Sequence, residues 1–217
     1  MGEDMLRFKW FGQACFEISN SVSIVTDPHD GDSVGLETPG AEGDFITVSH
    51  DHYDHASGVD LISNPGTTVV KSLGDDAEEI NLRSFKSYHD RSEGQARGDN
   101  IIFKFEVDGV KICHLGDLGH KLSPEKVQEI RPIDVLLIPV GGKFTIDGSE
   151  AAETVRDIQS KVVIPMHYSV EGLEVPISGP EQFLRSIKDD YNVKEMEELE
   201  LEEVPEENTV CVLDCKA

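Results

Sequence analysis

The sequence predicts an α/β protein in which two packed β-sheets carry helices on their outer faces. The first half is a succession of short strand-like apolar runs, and the second half alternates helical and strand periodicities. No glycine-rich nucleotide loop follows the first strand, so a simple doubly wound sheet fits less well.

Apolar runs at 6–11, 14–18 and 22–26 open the chain, with Asn20-Ser21 marking a hairpin between the last two. Asp27-Pro28 ends the third run, because proline restricts the residue before it and donates no ladder hydrogen bond. Further strands are predicted at 45–49, 67–70, 101–107 and 110–115, the last pair joined by Asp108-Gly109. Ser123-Pro124-Glu125 reads as a helix cap with proline in the first turn, and Val127 and Ile130 share one face of that helix. A buried strand is predicted at 135–139. Gly148 or Ser149 then starts a helix whose apolar positions include Ala152, Val155 and Ile158. A strand at 162–165 and a helix over about 180–190, with Phe183, Leu184 and Ile187 turned inward, continue the alternation. The acidic tract 195–207 is interrupted by Met196, Leu199, Leu201 and Val204, so it reads as an exposed, partly structured edge before a strand at 210–213. A chain of 217 residues can build one substantial core, and one domain over 1–217 is expected.

Composition excludes some functions. With 43 acidic and 19 basic side chains, the formal net charge is -24, and this field repels a polyanion, so no extended nucleic acid is expected as partner. A phosphorylated small molecule stays admissible, since bound divalent cations would reverse the field locally. No run reaches the length of about 18 apolar residues that a membrane span needs, and the opening MGEDMLRFKW lacks a basic segment followed by an apolar export segment. A cytoplasmic protein without a membrane partner is the expectation, and self-association is left open. Cys15, Cys113, Cys211 and Cys215 show no compact metal or disulfide pattern and read as packed thiols.

The chemistry concentrates at His50-Asp51-His52-Tyr53-Asp54-His55, which follows the strand at 45–49. Imidazoles and carboxylates together suit a borderline divalent metal such as zinc. On extended backbone His50 and His52 point the same way, whereas Asp54 and His55 come where the chain turns and approach from another side. A chance acidic surface loop would not explain this clustering of a scarce residue type. Asp117, in Leu115-Gly116-Asp117 at the end of a strand, carries two oxygens that could bridge two cations. It stands far from Ser123 for an ordinary helix cap. His167 emerges after the strand at 162–165, and His89 sits in Ser-Tyr-His-Asp before the glycine-rich segment 94–98; their position in this architecture raises a ligand role for both.

His50-x-His52-x-Asp54-His55, joined by His89, Gly116-Asp117 and Pro165-Met166-His167, resembles the motif set of the metallo-β-lactamase superfamily of hydrolases. More narrowly, it is similar to the small bacterial and archaeal branch that includes ascorbate-phosphate-lactonase-like proteins, and Trp10-Phe11-Gly12 through Asp27-Pro28 also match. The resemblance implies an αββα sandwich of two mixed sheets with the site at one edge. It implies two metal positions, one taking His50, His52 and His89, the other Asp54, His55 and His167, with Asp117 shared. Zinc is favoured, and manganese, iron or nickel use the same ligand types. Asp27 is expected behind the ligands, orienting a histidine through its noncoordinating nitrogen. Relatives often carry histidine after the first glycine, and this chain has Gln13, which bears on a pocket hydrogen bond or proton route.

The expected activity is hydrolysis of an ester, lactone or phosphoester of a small anionic metabolite by a metal-bridging hydroxide. Asp54 is the protein group placed to orient or accept a proton from that water, and His120 is a second candidate for proton transfer. Lys143, in Gly141-Gly142-Lys143-Phe144-Thr145, and His29 are candidate substrate contacts. His114 falls inside a strand and reads as packed or hydrogen bonded. A cyclic-nucleotide phosphodiesterase or nuclease is the enzyme alternative, although no basic track is present. A noncatalytic metal-binding or interaction protein is the other.

Overall fold

The computed structural model describes residues 5–75 and 77–217. Among these, the first half runs β1 (Leu6–Trp10), β2 (Phe16–Ser19), β3 (Ser23–Thr26), β4 (Phe45–Thr47), α1 (Tyr53–Ala56), α2 (Val59–Ile62) and β5 (Thr68–Val70). The middle continues with β6 (Arg83–Tyr88), β7 (Asp99–Val107), β8 (Val110–His114), α3 (Pro124–Ile130), β9 (Val135–Pro139) and α4 (Gly148–Ile158). β10 (Val162–Met166), α5 (Glu181–Ile187), β11 (Asn192–Met196), β12 (Leu199–Leu201) and β13 (Thr209–Leu213) complete it.

The strands form two mixed sheets, ordered β12-β1-β2-β3-β4-β5 and β11-β13-β10-β9-β8-β7-β6. In β1 the alternation faces Leu6, Phe8 and Trp10 inward and leaves Arg7 exposed, the period-two pattern of a sheet covered on one face. β9 and β10 are buried at every position, as parallel strands covered on both faces must be. One apolar cluster fills the space between the sheets and continues under α3, α4 and α5. A second, around Val25, Ile46 and Val48, lies under Ile62 with Ala56 and Val59 of α1 and α2 packed on it. The layers are therefore helix, sheet, sheet, helix, the fold class read from the sequence. No helix among the described residues is long and apolar enough to cross a membrane.

Several predicted boundaries move for local reasons. The second strand starts at Phe16 because a tight turn precedes it, with Gly12 and Gln13 at positive φ and the Cys15 N–H donating to the Gly12 carbonyl. Glycine supplies the first of those angles without Cβ strain. β6 has only Phe85 as a buried apolar side chain, too weak a period to read from sequence. The acidic tract contributes strands at the edges of both sheets: β11 lies beside β13, and β12 beside β1. His114 is buried inside β8, its Nε2 3.0 Å from the Ala14 carbonyl, and so ties the two sheets together.

Candidate metal centre

Strand direction assembles the site. β3 runs parallel to β4, and β8 parallel to β9 and through it to β10, while β6 and β8 both run antiparallel to β7. The chain therefore leaves β3 at Asp27, β6 at His89 and β10 at His167 immediately, and β4 and β8 within three residues of His50 and Asp117. Carboxyl ends of strands carry backbone that has left its ladder, so their side chains converge on a common edge without breaking sheet hydrogen bonds. α1 adds the last two, Asp54 and His55.

Seven side chains gather there in two groups, each able to hold a metal ion: His50, His52 and His89; and Asp54, His55, Asp117 and His167. Within each group the ligand atoms lie within 4.8 Å of one another. Asp117 joins the groups. Its Oδ2 is 3.1 Å from His89 Nε2 and 4.0 Å from His50 Nε2 on one side, and 3.3 Å from His55 Nε2 and 3.2 Å from His167 Nε2 on the other. Asp54 Oδ2 stands 3.6 Å from His55 Nε2 and 3.7 Å from His167 Nε2.

Behind this layer, partners fix the imidazoles. Asp27 Oδ2 is 2.9 Å from His55 Nδ1, and both Asp27 oxygens accept from Ser49, one from its N–H and one from its hydroxyl, each at 2.6 Å. That hydroxyl donates to Asp27, so at 2.9 Å it accepts from His50 Nδ1. His89 Nδ1 donates to the Phe144 carbonyl over 3.1 Å. In all three rings the Nδ1 side is committed to protein, which leaves Nε2 turned to the centre as the atom that can ligate a metal once it carries no proton.

The buried carboxylates and imidazoles of the centre perturb one another strongly. Burial opposes charge on Asp117, yet His167 and His55 hold its carboxyl well below the usual range. Asp54 is likewise lowered, with burial opposing and His55 outweighing it. Burial also disfavours charge on His167, and Asp117 nevertheless raises it to about 9; His55 is raised well above its ordinary value in the same way. His50 goes the other way, to about 3, through burial and repulsion from His55. His50 Nε2, His55 Nε2 and Asp117 Oδ1 are buried without a hydrogen-bond partner. Each such atom costs about 1–3 kcal/mol when left unsatisfied, so three of them within one cluster of imidazoles and carboxylates suit divalent cations as partners. Zinc-type donors and this orphaned set agree.

Residues 7–167 match the family of beta-lactamase superfamily domains. The chain belongs to this superfamily. Over 216 residues, covering 87% of this chain and 95% of its relative, it is 31% identical to a UPF0173 metal-dependent hydrolase of Thermococcus onnurineus. It superposes on the crystal structure of a Thermotoga maritima protein assigned as a Zn-dependent hydrolase of the metallo-β-lactamase superfamily, with TM-score 0.78 and 37% identity over 96% of this chain and 98% of that one. A Parabacteroides distasonis structure at 18% identity, TM-score 0.68, covering 85% of this chain and 89% of that one, shares the fold. The metallo-β-lactamase fold and its His/Asp site for two metal ions are thus present in this chain.

Three candidate residues stand elsewhere than the sequence suggests. His29 is fully buried, with Nε2 2.7 Å from the Phe11 carbonyl and Nδ1 accepting from the Gly31 N–H, so it braces a loop and has no atom left for a substrate. His120 is also committed, its Nε2 accepting from the Tyr88 N–H and its Nδ1 donating to the Lys121 carbonyl, so it is not available as a proton carrier. Lys143 is exposed with Nζ 5.2 Å from the Phe144 ring centroid, outside the cavity wall. That wall, enclosing about 360 Å³, is formed by His52, Tyr53, Asp54, His89, Asp117 and a rim of Ala96, Arg97, Phe144 and Val175.

Gln13 and Asn100 support the site from behind. Gln13, fully buried, donates from Nε2 to Asp54 Oδ2 over 2.8 Å and lies 3.3 Å from His167 Nε2, while its carbonyl accepts from the His167 N–H. Asn100 accepts from the Asp117 N–H over 2.9 Å and so fixes the turn that presents the shared carboxylate. The signal for Gln13 was its place after Gly12, where relatives often carry histidine; for Asn100, just before the strand predicted at 101–107, there was none.

Proposed function

We propose that the chain, as one domain over 1–217, is a dinuclear metal-dependent hydrolase acting on an ester, lactone or phosphoester of a small anionic metabolite. The observation that carries this is Asp117 Oδ2 lying within 4.0 Å of imidazole nitrogens from both groups of ligands. In this reading His50, His52 and His89 would hold one ion, Asp54, His55 and His167 the other, with Asp117 available to both. Bound divalent cations would supply a water of lowered pKa as nucleophile and a Lewis acid for the attacked group.

The protein's own groups do the rest. Asp27 and Ser49 orient His55 and His50, Phe144 orients His89, and Asn100 orients Asp117. Asp54, ionised far below neutral pH and held by Gln13, is better suited to ligation than to accepting a proton, because an efficient base titrates near the working pH. The names of the Thermococcus and Thermotoga relatives support metal-dependent hydrolysis with zinc. The motif resemblance to ascorbate-phosphate lactonases makes phosphorylated sugar lactones the first substrates to test.

The test is turnover by zinc-loaded protein on a panel of sugar lactones, phosphorylated lactones, carboxylic esters and phosphodiesters, with chelated protein as control. Zinc-dependent cleavage of a lactone or ester is expected. Turnover of cyclic nucleotides alone would move the reading to a phosphodiesterase, and full metal occupancy without any turnover would overturn it.

A further inference from the structure

We propose that Arg97, laid over Phe144 at the mouth of the metal cavity, is the residue that recognises the anionic group of the substrate. This deepens the hydrolase reading and rests on it for the position of the reacting bond. Arg97 and Phe144 share one cavity wall with His52, Asp54, His89 and Asp117. A volume of about 360 Å³ falls in the range that holds small metabolites, so one molecule can reach both the centre and the rim.

The loop that carries Arg97 is organised from within. Asp90, the residue after His89, accepts backbone N–H bonds from Ser92, Gly94, Ala96 and Arg97 at 2.6 to 3.2 Å. One carboxylate thus ties the backbone of Arg97 to that of a metal-centre histidine. The guanidinium carbon stands 5.4 Å from the Phe144 ring centroid, a cation–π geometry that orients it at low entropic cost. The Phe144 carbonyl in turn accepts from His89, so the aromatic platform and the imidazole are fixed to each other.

What sets Arg97 apart is its place: it is the Lys or Arg side chain in the lining of this cavity. Acidic side chains outnumber basic ones 43 to 19, and Arg7, Lys86, Arg91, Lys121 and Arg156 each hold a carboxylate. Arg97 makes no such pair among the described residues, although its own loop contains Asp90 and Glu93. A planar guanidinium with its donors free matches a phosphate or carboxylate through two parallel hydrogen bonds. Lys143, over the same ring, adds positive potential from outside the wall. The scissile group would lie at the His/Asp centre and the anionic substituent at Arg97, with Tyr53 and Val175 flanking the apolar part between them.

The test is calorimetric titration of zinc-loaded protein with phenylphosphonate and, separately, benzoate, which distinguish a phosphate-type from a carboxylate-type group. Arg97→Ala is expected to weaken the tighter of the two at least tenfold, and Arg97→Lys to lie between, with zinc content unchanged. Arg91→Ala removes the same charge from the same loop, but its guanidinium already pairs with Glu150, so its Kd should stay within twofold. Equal Kd for wild type and Arg97→Ala, an equal loss in Arg91→Ala, or no binding of either probe by wild type would overturn the proposal. Because the readout is binding, an Arg97-dependent Kd without turnover would remove the hydrolase and leave the clamp, and turnover with an Arg97-independent Kd would do the reverse.

Discussion

At Asp117 a single carboxylate oxygen faces imidazoles from both halves of the centre, and its other oxygen is buried without a partner. Asp117→Asn replaces one oxygen by a group with no lone pair to give. The expected result is loss of at least one metal equivalent and of activity by several orders of magnitude, with circular dichroism unchanged; near-normal turnover would contradict the shared role. Gln13→Leu keeps volume but removes the donor to Asp54, and should weaken the ion at Asp54, His55 and His167 by about 10–100-fold in chelator competition, as loss of ligand support does elsewhere. An unchanged second affinity would make Gln13 packing only. The gathered histidines and aspartates were legible because a scarce residue type repeats where strand-like runs end. Arg97 and Asn100 were not, and Gln13 was legible only as a departure from its relatives' histidine, since its contact with Asp54 joins positions 41 apart. The surroundings of His29, His120 and Lys143 were out of reach for the same reason: nearness in sequence to the motifs says nothing about which partners a ring nitrogen or an ammonium meets.

At the scale of elements, the site depends on backbones that touch. Gly119 lies against the backbone of His89, where an added Cβ would collide with its carbonyl group, and its N–H donates to the Tyr88 carbonyl. Gly119→Ala is therefore expected to displace His89 and empty the position it shares with His50 and His52 while leaving secondary structure intact. Two metal equivalents retained at wild-type affinity would contradict this. Strands with strong inward alternation or unbroken burial, such as β1, β9 and β10, could be read from sequence because tertiary burial and local pattern agree. β6 could not, since its buried face is mostly small or polar, and α1 and α2, four residues each, are too short for a helical period to show. These short helices nonetheless matter, because α1 turns Asp54 and His55 back toward the strands that deliver the other ligands.

Across the whole molecule, two sheets of mixed direction bring strand ends from both halves of the chain to one edge, and metal binding should be felt as stability of the entire fold. A cation that binds the folded chain alone stabilises it by about 2.7 kcal/mol at 100 times its Kd, or roughly 5–10 °C in Tm for a chain of this size. Chelation should lower Tm by about that much for each site emptied. The chelated protein should also lose stability with rising pH. The His167 imidazolium is favoured in the fold by Asp117, so its contribution is complete below the ordinary value of 6.5 and is lost as pH rises through about 9. The metal-loaded protein, with His167 already deprotonated by ligation, should not show that decline. The central claim is that one carboxylate serves two ions, and element-resolved anomalous diffraction from metal-loaded crystals tests it most directly. Two peaks are expected, one among His50, His52 and His89 and one among Asp54, His55 and His167, each within bonding distance of Asp117. A single ion without contact to Asp117 would contradict the account.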